Sequence, residues 1–161
     1  MKNAIVETAL QTVQLEAKSI ADLASFLDAS FVEAIELLNN CKGRLVFSGI
    51  GKSALIAQKI VATLNSTGTP SLFMHAADAI HGDLGTVQKD DIVLIISKSG
   101  ESPEIKALVP YIKNFGNKLI GIVGNTSSYL AAAADYILNT TVSSEACPNN
   151  LAPTSSTTAQ L

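Results

Sequence analysis

Residues Asp91–Ser97 (DIVLIIS) form an unbroken apolar run that stops at the turn Lys98-Ser99-Gly100-Glu101 and opens onto a helical segment with Pro103 in its first turn. A short apolar run without alternation suits a strand covered on both faces. A strand that leads straight into a helix rejoins the same sheet by a right-handed crossover, which makes the sheet parallel. The rest of the chain repeats this unit. Arg44–Ser48, Ser71–Met74, Lys118–Val123 and Tyr136–Asn139 read as further strands, and Lys52–Asn65, Ser102–Phe115 and Ser127–Ala134 as helices. The expected fold is α/β, a doubly wound parallel sheet of five strands flanked by helices.

Two helices precede the first strand. Val6, Leu10, Val13, Ala17, Ile20, Ala24 and Leu27 recur at alternating steps of four and three, which predicts a long helix over 3–27. Ile5, Ala9, Leu23 and Phe26 widen its apolar surface. So broad a face on a terminal helix fits a subunit interface, and packing on its own sheet is the other reading. Ser30 and Glu33 have capping-box spacing, so a second helix should start there with Phe31, Ile35 and Leu38 on one face. Thr154–Leu161 reads as the cap and first turns of a helix that stops abruptly, the pattern expected of a fragment.

Composition bounds what such a chain does. Its 161 residues, 47% hydrophobic and 16% charged, are enough for one domain (1–161) with a sizeable core. A net charge of -3 gives no electrostatic case for nucleic acid. No apolar run approaches the ~20 residues that span a bilayer, and the opening MKNAIVETALQ lacks the layout of a signal peptide. Cys41 and Cys147 match no metal spacing and read as reduced thiols. A cytoplasmic protein without membrane or nucleic-acid partners is expected.

In a parallel doubly wound sheet, ligands bind beyond the carboxyl ends of the strands, so the loops that follow strands carry the chemistry. Ser48-Gly49-Ile50-Gly51-Lys52-Ser53 is a glycine turn into a helix whose exposed N–H groups favour an anion. Val46 stands where a Walker A loop requires glycine, so this is not a nucleotide P-loop. Ser97, Ser99 and Ser102 bracket Gly100 at the next helix start, and three hydroxyls there make a cradle for a phosphate monoester. One serine is explained by capping alone; three are not. His75, Asp78, His81 and Asp83 invite a metal reading, but their spacing matches no common helical ligand pair, and no metal is expected. His81, followed by Gly82, is placed for acid–base or hydrogen-bonding work, and His75 reads as structural. Glu145, the only acid after Asp135, lies in a proline-fixed loop past the last strand and is a candidate base.

Taken together, GIGKS, SKSGES, HGDLG (81–85) and EACPNNLAPTSSTTA (145–159) resemble the SIS domain of arabinose-5-phosphate isomerases. SKSGES alone marks a sugar-phosphate-binding SIS domain, whereas the other segments carry the isomerase resemblance. It runs from about the first strand to the last residue. The resemblance implies a flavodoxin-like SIS fold, a homotetramer with active sites completed across subunits, and no cofactor. It implies interconversion of D-arabinose 5-phosphate and D-ribulose 5-phosphate, feeding Kdo synthesis for lipopolysaccharide or capsule. It places Lys52, His81, Glu101 and Glu145 on catalytic positions and Ser53, Ser97, Ser99 and Ser102 on phosphate-contacting ones. Two departures stand out. Family members usually continue through a Ser-His-Pro-Gly-Gly segment, and many then carry paired CBS domains; both are absent from this sequence. Lys98 also replaces the more common asparagine, adding positive charge where phosphate should sit.

The implied chemistry moves a proton between adjacent carbons through an enediol(ate). It needs a base (Glu145 or Glu101), a group that polarises oxygen (Lys52 or His81) and a remote handle on the phosphate. Two alternatives keep the cradle: a non-catalytic sugar-phosphate sensor, and a phosphosugar isomerase of other specificity. Sensors usually carry a helix-turn-helix domain, and nothing basic of that kind precedes the first strand.

Overall fold

The computed structural model describes residues 2–161. Five strands, β1 (Leu45–Gly49), β2 (Ser71–His75), β3 (Ile92–Ser97), β4 (Lys118–Val123) and β5 (Tyr136–Asn139), form one sheet in the order β2-β1-β3-β4-β5. Every pairing is parallel. The helices are α1 (Lys2–Asp22), α2 (Ala29–Asn39), α3 (Lys52–Ser66), α4 (Ala76–Ala79), α5 (Pro103–Phe115), α6 (Tyr129–Ala133) and α7 (Ser155–Gln160), with 3-10 turns at Leu23–Phe26 and Asp83–Thr86. The expected doubly wound sheet is the one observed.

Alternation along β3 splits the core into two layers. Val93 and Ile95 face one side, where they meet Ile105, Leu108, Val109 and Ile112 of α5 and Leu130 of α6. Ile92, Leu94 and Ile96 face the other, against Ala34 of α2 and Ala57 and Val61 of α3. Every residue of β3 is buried, which is why its sequence shows no polar alternation.

The amino edge of the sheet is locked by Asp91, which is 3% exposed. Its carboxylate accepts from the Arg44 backbone N–H (2.8 Å), Arg44 Nη2 (2.7 Å) and the Gln88 N–H (2.9 Å). Nearby, a Cβ on Gly43 would lie 2.5 Å from the Asp90 carbonyl, so the chain passes there only as glycine. This end is rigid and closed, leaving the opposite edge for ligands.

Local details differ from the sequence reading. The cap of α2 is Asp28, whose side chain accepts from the Phe31 N–H at 3.0 Å, so the helix starts ahead of Ser30. The predicted helix over 3–27 is α1 to Asp22, continued as a tighter 3-10 turn. The segment after β2, to which the sequence reading assigned no helix, holds a single helical turn, α4; His75 caps it by accepting from the Ala77 N–H at 3.3 Å. The predicted Ser127–Ala134 helix shortens to Tyr129–Ala133 because Ser128 caps it, accepting from the Ala131 N–H. The heptad stripe of α1 does not pack on the sheet. Val6, Leu10, Val13 and Ile20 are all more than half exposed on the single chain.

Candidate functional site

The β2-β1-β3 order sends the helices after β1 and β3 to opposite faces, α3 against one core layer and α5 against the other. A crevice opens where they diverge, at the topological switch point. A cavity of about 240 Å³ occupies it, lined by Lys52, Ser53, Ser97, Lys98, Ser99, Ser102 and, from the last segment, Pro153, Ser156, Thr157 and Gln160. A larger groove of about 480 Å³ lies against Phe26, Phe31 and Leu138. Its only titratable side chain, Asp28, is used to cap α2, so that groove lacks groups for chemistry.

The walls of the switch-point cavity are suited to an oxyanion. Neither α3 nor α5 is capped by a side chain. The first-turn N–H groups of α3, and those of α5 after Pro103, therefore lack a side-chain cap at the end of each helix that meets the crevice. Ser97 Oγ accepts from the Gly100 N–H at 3.0 Å, and Ser99 Oγ accepts from the Glu101 N–H at 3.2 Å. As acceptors, both hydroxyls keep their protons for a ligand. Ser102 occupies the cap position of α5 but makes no cap bond. Ser53 instead donates to Gln160 Oε1 at 3.2 Å, tying α3 to α7.

The SKSGES loop is held from behind by the start of α6. The Leu130 N–H donates to the Gly100 carbonyl at 3.1 Å, and the Tyr129 N–H donates to Glu101 Oε1 at 2.6 Å. Gly100 has a φ of +65°, and a Cβ there would lie 2.0 Å from Ser128 Oγ. This glycine is required both by its backbone and by its neighbour. Glu101 also pairs with Lys106 at 2.6 Å; these two contacts hold its carboxyl below the ordinary range.

Glu145 is the most constrained charged group of the site. It is 6% exposed. Its Oε1 lies 2.6 Å from Lys98 Nζ. Its Oε2 accepts from the Thr154 N–H (2.7 Å), the Thr154 hydroxyl (3.2 Å) and the Ser156 N–H (3.1 Å). Burial acts to raise its pKa, but the Lys98 ammonium, the Ser156 hydroxyl and the Thr154 and Ser156 N–H groups outweigh it and hold the carboxyl at about 2, down from 4.5.

A group depressed in this way stabilises the fold above its unfolded pKa, and that contribution is lost as pH falls toward the folded value. For Glu145 the window runs from about 4.5 down to about 2 and is worth on the order of 3 kcal/mol. Asp91, where Arg44 and the Gln88 N–H overcome the effect of burial, acts in the same direction. We expect the melting temperature to fall steadily below pH 4.5, and Glu145→Gln to flatten part of that slope. Parallel pH profiles for the two proteins would contradict this account of the carboxylate.

The cavity thus gathers Lys52, Ser53, Ser97, Ser99 and Ser102, with Glu145 behind Lys98. It does not gather all the residues singled out from the sequence. His81 and Glu101 are exposed and line none of this cavity within the single chain. The reverse case is Lys98, noticed in the sequence only as a departure; its bond to Glu145 spans 47 positions and has no local signature.

The profile of the SIS domain matches residues 37–161. A probable arabinose 5-phosphate isomerase of Haemophilus influenzae is 49% identical over 94% of this chain and 45% of its own length. Arabinose 5-phosphate isomerase KdsD of Pseudomonas aeruginosa is 50% identical over 97% of this chain and 48% of its own. The chain spans about half the length of the curated relatives it matches. An Escherichia coli CFT073 protein solved in complex with arabinose 5-phosphate superposes with a TM-score of 0.93 at 40% identity, covering 99% of this chain and 85% of that one. The matched span contains the strands, both anion-facing helix starts and the loop of Glu145, and the chain belongs to the SIS domain family.

Proposed function

We propose that this chain is an aldose–ketose isomerase that interconverts D-arabinose 5-phosphate and D-ribulose 5-phosphate. The observation that carries the reading is the switch-point cavity, where an oxyanion cradle and Lys52 meet in a chain 49% identical to a probable arabinose 5-phosphate isomerase. The phosphate sits at the starts of α3 and α5 against Ser97, Ser99 and Ser102, with Ser53 joining once it leaves Gln160. Remote binding of the phosphate orients the reacting carbons. A carboxylate, Glu101 or Glu145, takes the C2 proton of the open-chain aldose. The electron pair forms the enediolate, and the oxygen at C1 is stabilised by Lys52 or His81. Return of the proton at C1 and transfer of the O2 proton to O1, relayed by Lys52 or His81, complete the ketose with no redox change.

The domain spans 1–161, and the protein is cytoplasmic and homotetrameric, its product feeding Kdo synthesis for lipopolysaccharide or capsule. The exposed apolar face of α1 supports the assembly, since a second copy would cover it. Assembly would also bring His81 and Glu101 of a neighbouring copy to the cavity. No helix among the described residues is long and apolar enough to cross a membrane.

The test is to incubate the chain with D-arabinose 5-phosphate and follow ketose formation. Steady production of D-ribulose 5-phosphate is expected. A raised melting temperature without turnover would replace the enzyme with a sugar-phosphate sensor. The absence of both turnover and a melting shift would overturn the assignment of this substrate.

A further inference from the structure

We infer that Lys98 is a phosphate-binding residue of the switch-point cavity, and that Glu145 is the positioning residue that presents it rather than the carbon base. The inference rests on the isomerase reading and assigns the two groups that it leaves open.

Lys98 is fixed at both ends. At its root, the Gly124 N–H donates to the Lys98 carbonyl at 3.1 Å. A Cβ on Gly124 would come within 3.1 Å of Lys98 Cγ, so the lysine stem lies close against the glycine backbone. At its tip, Nζ meets Glu145 Oε1 at 2.6 Å. Between these anchors the side chain is 53% exposed and lines the cavity with Lys52, Ser97 and Ser99. An ammonium has three protons, of which Glu145 takes one. The others are available to a phosphate monoester dianion, for which a charge-assisted bond is stronger than a neutral one.

Glu145 has the opposite character. Three donors from the 154–156 turn occupy Oε2, and Lys98 closes Oε1. Its side chain is 3% exposed. A carbon base must bring a free lone pair to a carbon-bound proton, whereas here Oε2 is taken up by three donors, Oε1 faces the Lys98 ammonium, and Glu145 is not among the residues that line the cavity. Its low proton affinity points the same way. Glu145 acts through Lys98, holding a flexible side chain in one place before substrate arrives.

The experiment uses the full chain with Lys98→Met, Lys98→Arg, Glu145→Gln and the Lys98→Met/Glu145→Gln double variant. It measures kcat and KM for D-arabinose 5-phosphate and, separately, inorganic phosphate binding by calorimetry. Lys98→Met should raise KM roughly ten- to hundred-fold with kcat little changed, as for loss of one charged hydrogen bond. Lys98→Arg should recover most of that loss. Glu145→Gln should raise KM by a smaller factor, and the double variant should be no worse than Lys98→Met alone. An abolished kcat at unchanged KM in Glu145→Gln would make it the base and overturn the inference. Unchanged KM and phosphate affinity in Lys98→Met would do the same. If Glu145→Gln fails to fold, the Met and Arg variants of Lys98 decide. If the unaltered chain turns over no arabinose 5-phosphate, the isomerase reading fails; phosphate calorimetry then decides Lys98 alone, weaker binding in Lys98→Met supporting its role and equal binding refuting it.

Discussion

Lys52→Ala should cost at least ~10²–10³ in turnover, the range for removing a group that stabilises a developing oxyanion, while leaving the melting temperature within a degree or two. The separation follows from the structure. Lys52 is exposed at the first position of α3 and makes no ion pair among the described residues, so the fold does not depend on it. The cavity does, since Lys52 stands in its wall beside Ser97 and Ser99. Parallel turnover and melting measurements check this. A variant that keeps more than a tenth of its kcat would remove Lys52 from the chemistry.

Gly100→Ala should be the most damaging single-methyl change in the site. Its Cβ would stand 2.0 Å from Ser128 Oγ and 2.5 Å from Ser128 Cβ, and the second atom cannot be relieved by rotating a side chain. An alanine at φ +65° adds about 1–2 kcal/mol, and overpacking adds about 1–3 kcal/mol. At about 2–4 °C per kcal/mol for a chain of this size, the melting temperature should drop by about 4–20 °C. Any movement also displaces Ser99 and Ser102, so phosphate affinity should fall with it. The double variant with Ser128→Gly removes the clashing atoms and should regain part of the stability, keeping the backbone cost and the smaller loss of the α6 cap. If Gly100→Ala melts like the parent, the loop is looser than its contacts indicate.

The sequence disclosed the parallel sheet because each strand carries its own evidence. Lys118–Val123 and Tyr136–Asn139 match β4 and β5 residue for residue, since an apolar run bounded by Gly116–Asn117 or followed by Thr140–Thr141 has little freedom in its ends. The cap of α2 was misplaced because Ser30–Glu33 has the right spacing, and Asp28, two residues earlier, competes for the same helix end with a stronger acceptor. The turn α4 was missed because AADA has no apolar period long enough to register. The stripe on α1 was legible as a pattern, and its exposure shows that the single chain does not cover it.

The site was legible only where it is local. Ser97, Ser99 and Ser102 share one loop, so their meeting in one cavity wall can be read from six consecutive residues. The Lys98–Glu145 bond joins two loops that follow different strands, and no spacing rule anticipates it. For Glu145 the sequence offered a lone carboxylate in a rigid loop, which fits a base and an anchor equally well. The proposed assignment rests on the three donors on Oε2, which no sequence spacing reveals.

The bond between Ser53 and Gln160 bears on how the pocket comes into being during synthesis. It joins positions 107 apart, and the cavity is walled by 50–53 on one side and 153–160 on the other. A ribosome that has released the strands but not α7 therefore exposes half of the cavity wall, with α3 lacking its opposing side. On the proposed reading, phosphate meets the groups on 153–160 only after that segment has docked against α3. Ligand binding then acts as a late clamp that slows the departure of α7 and leaves the earlier folding steps unchanged.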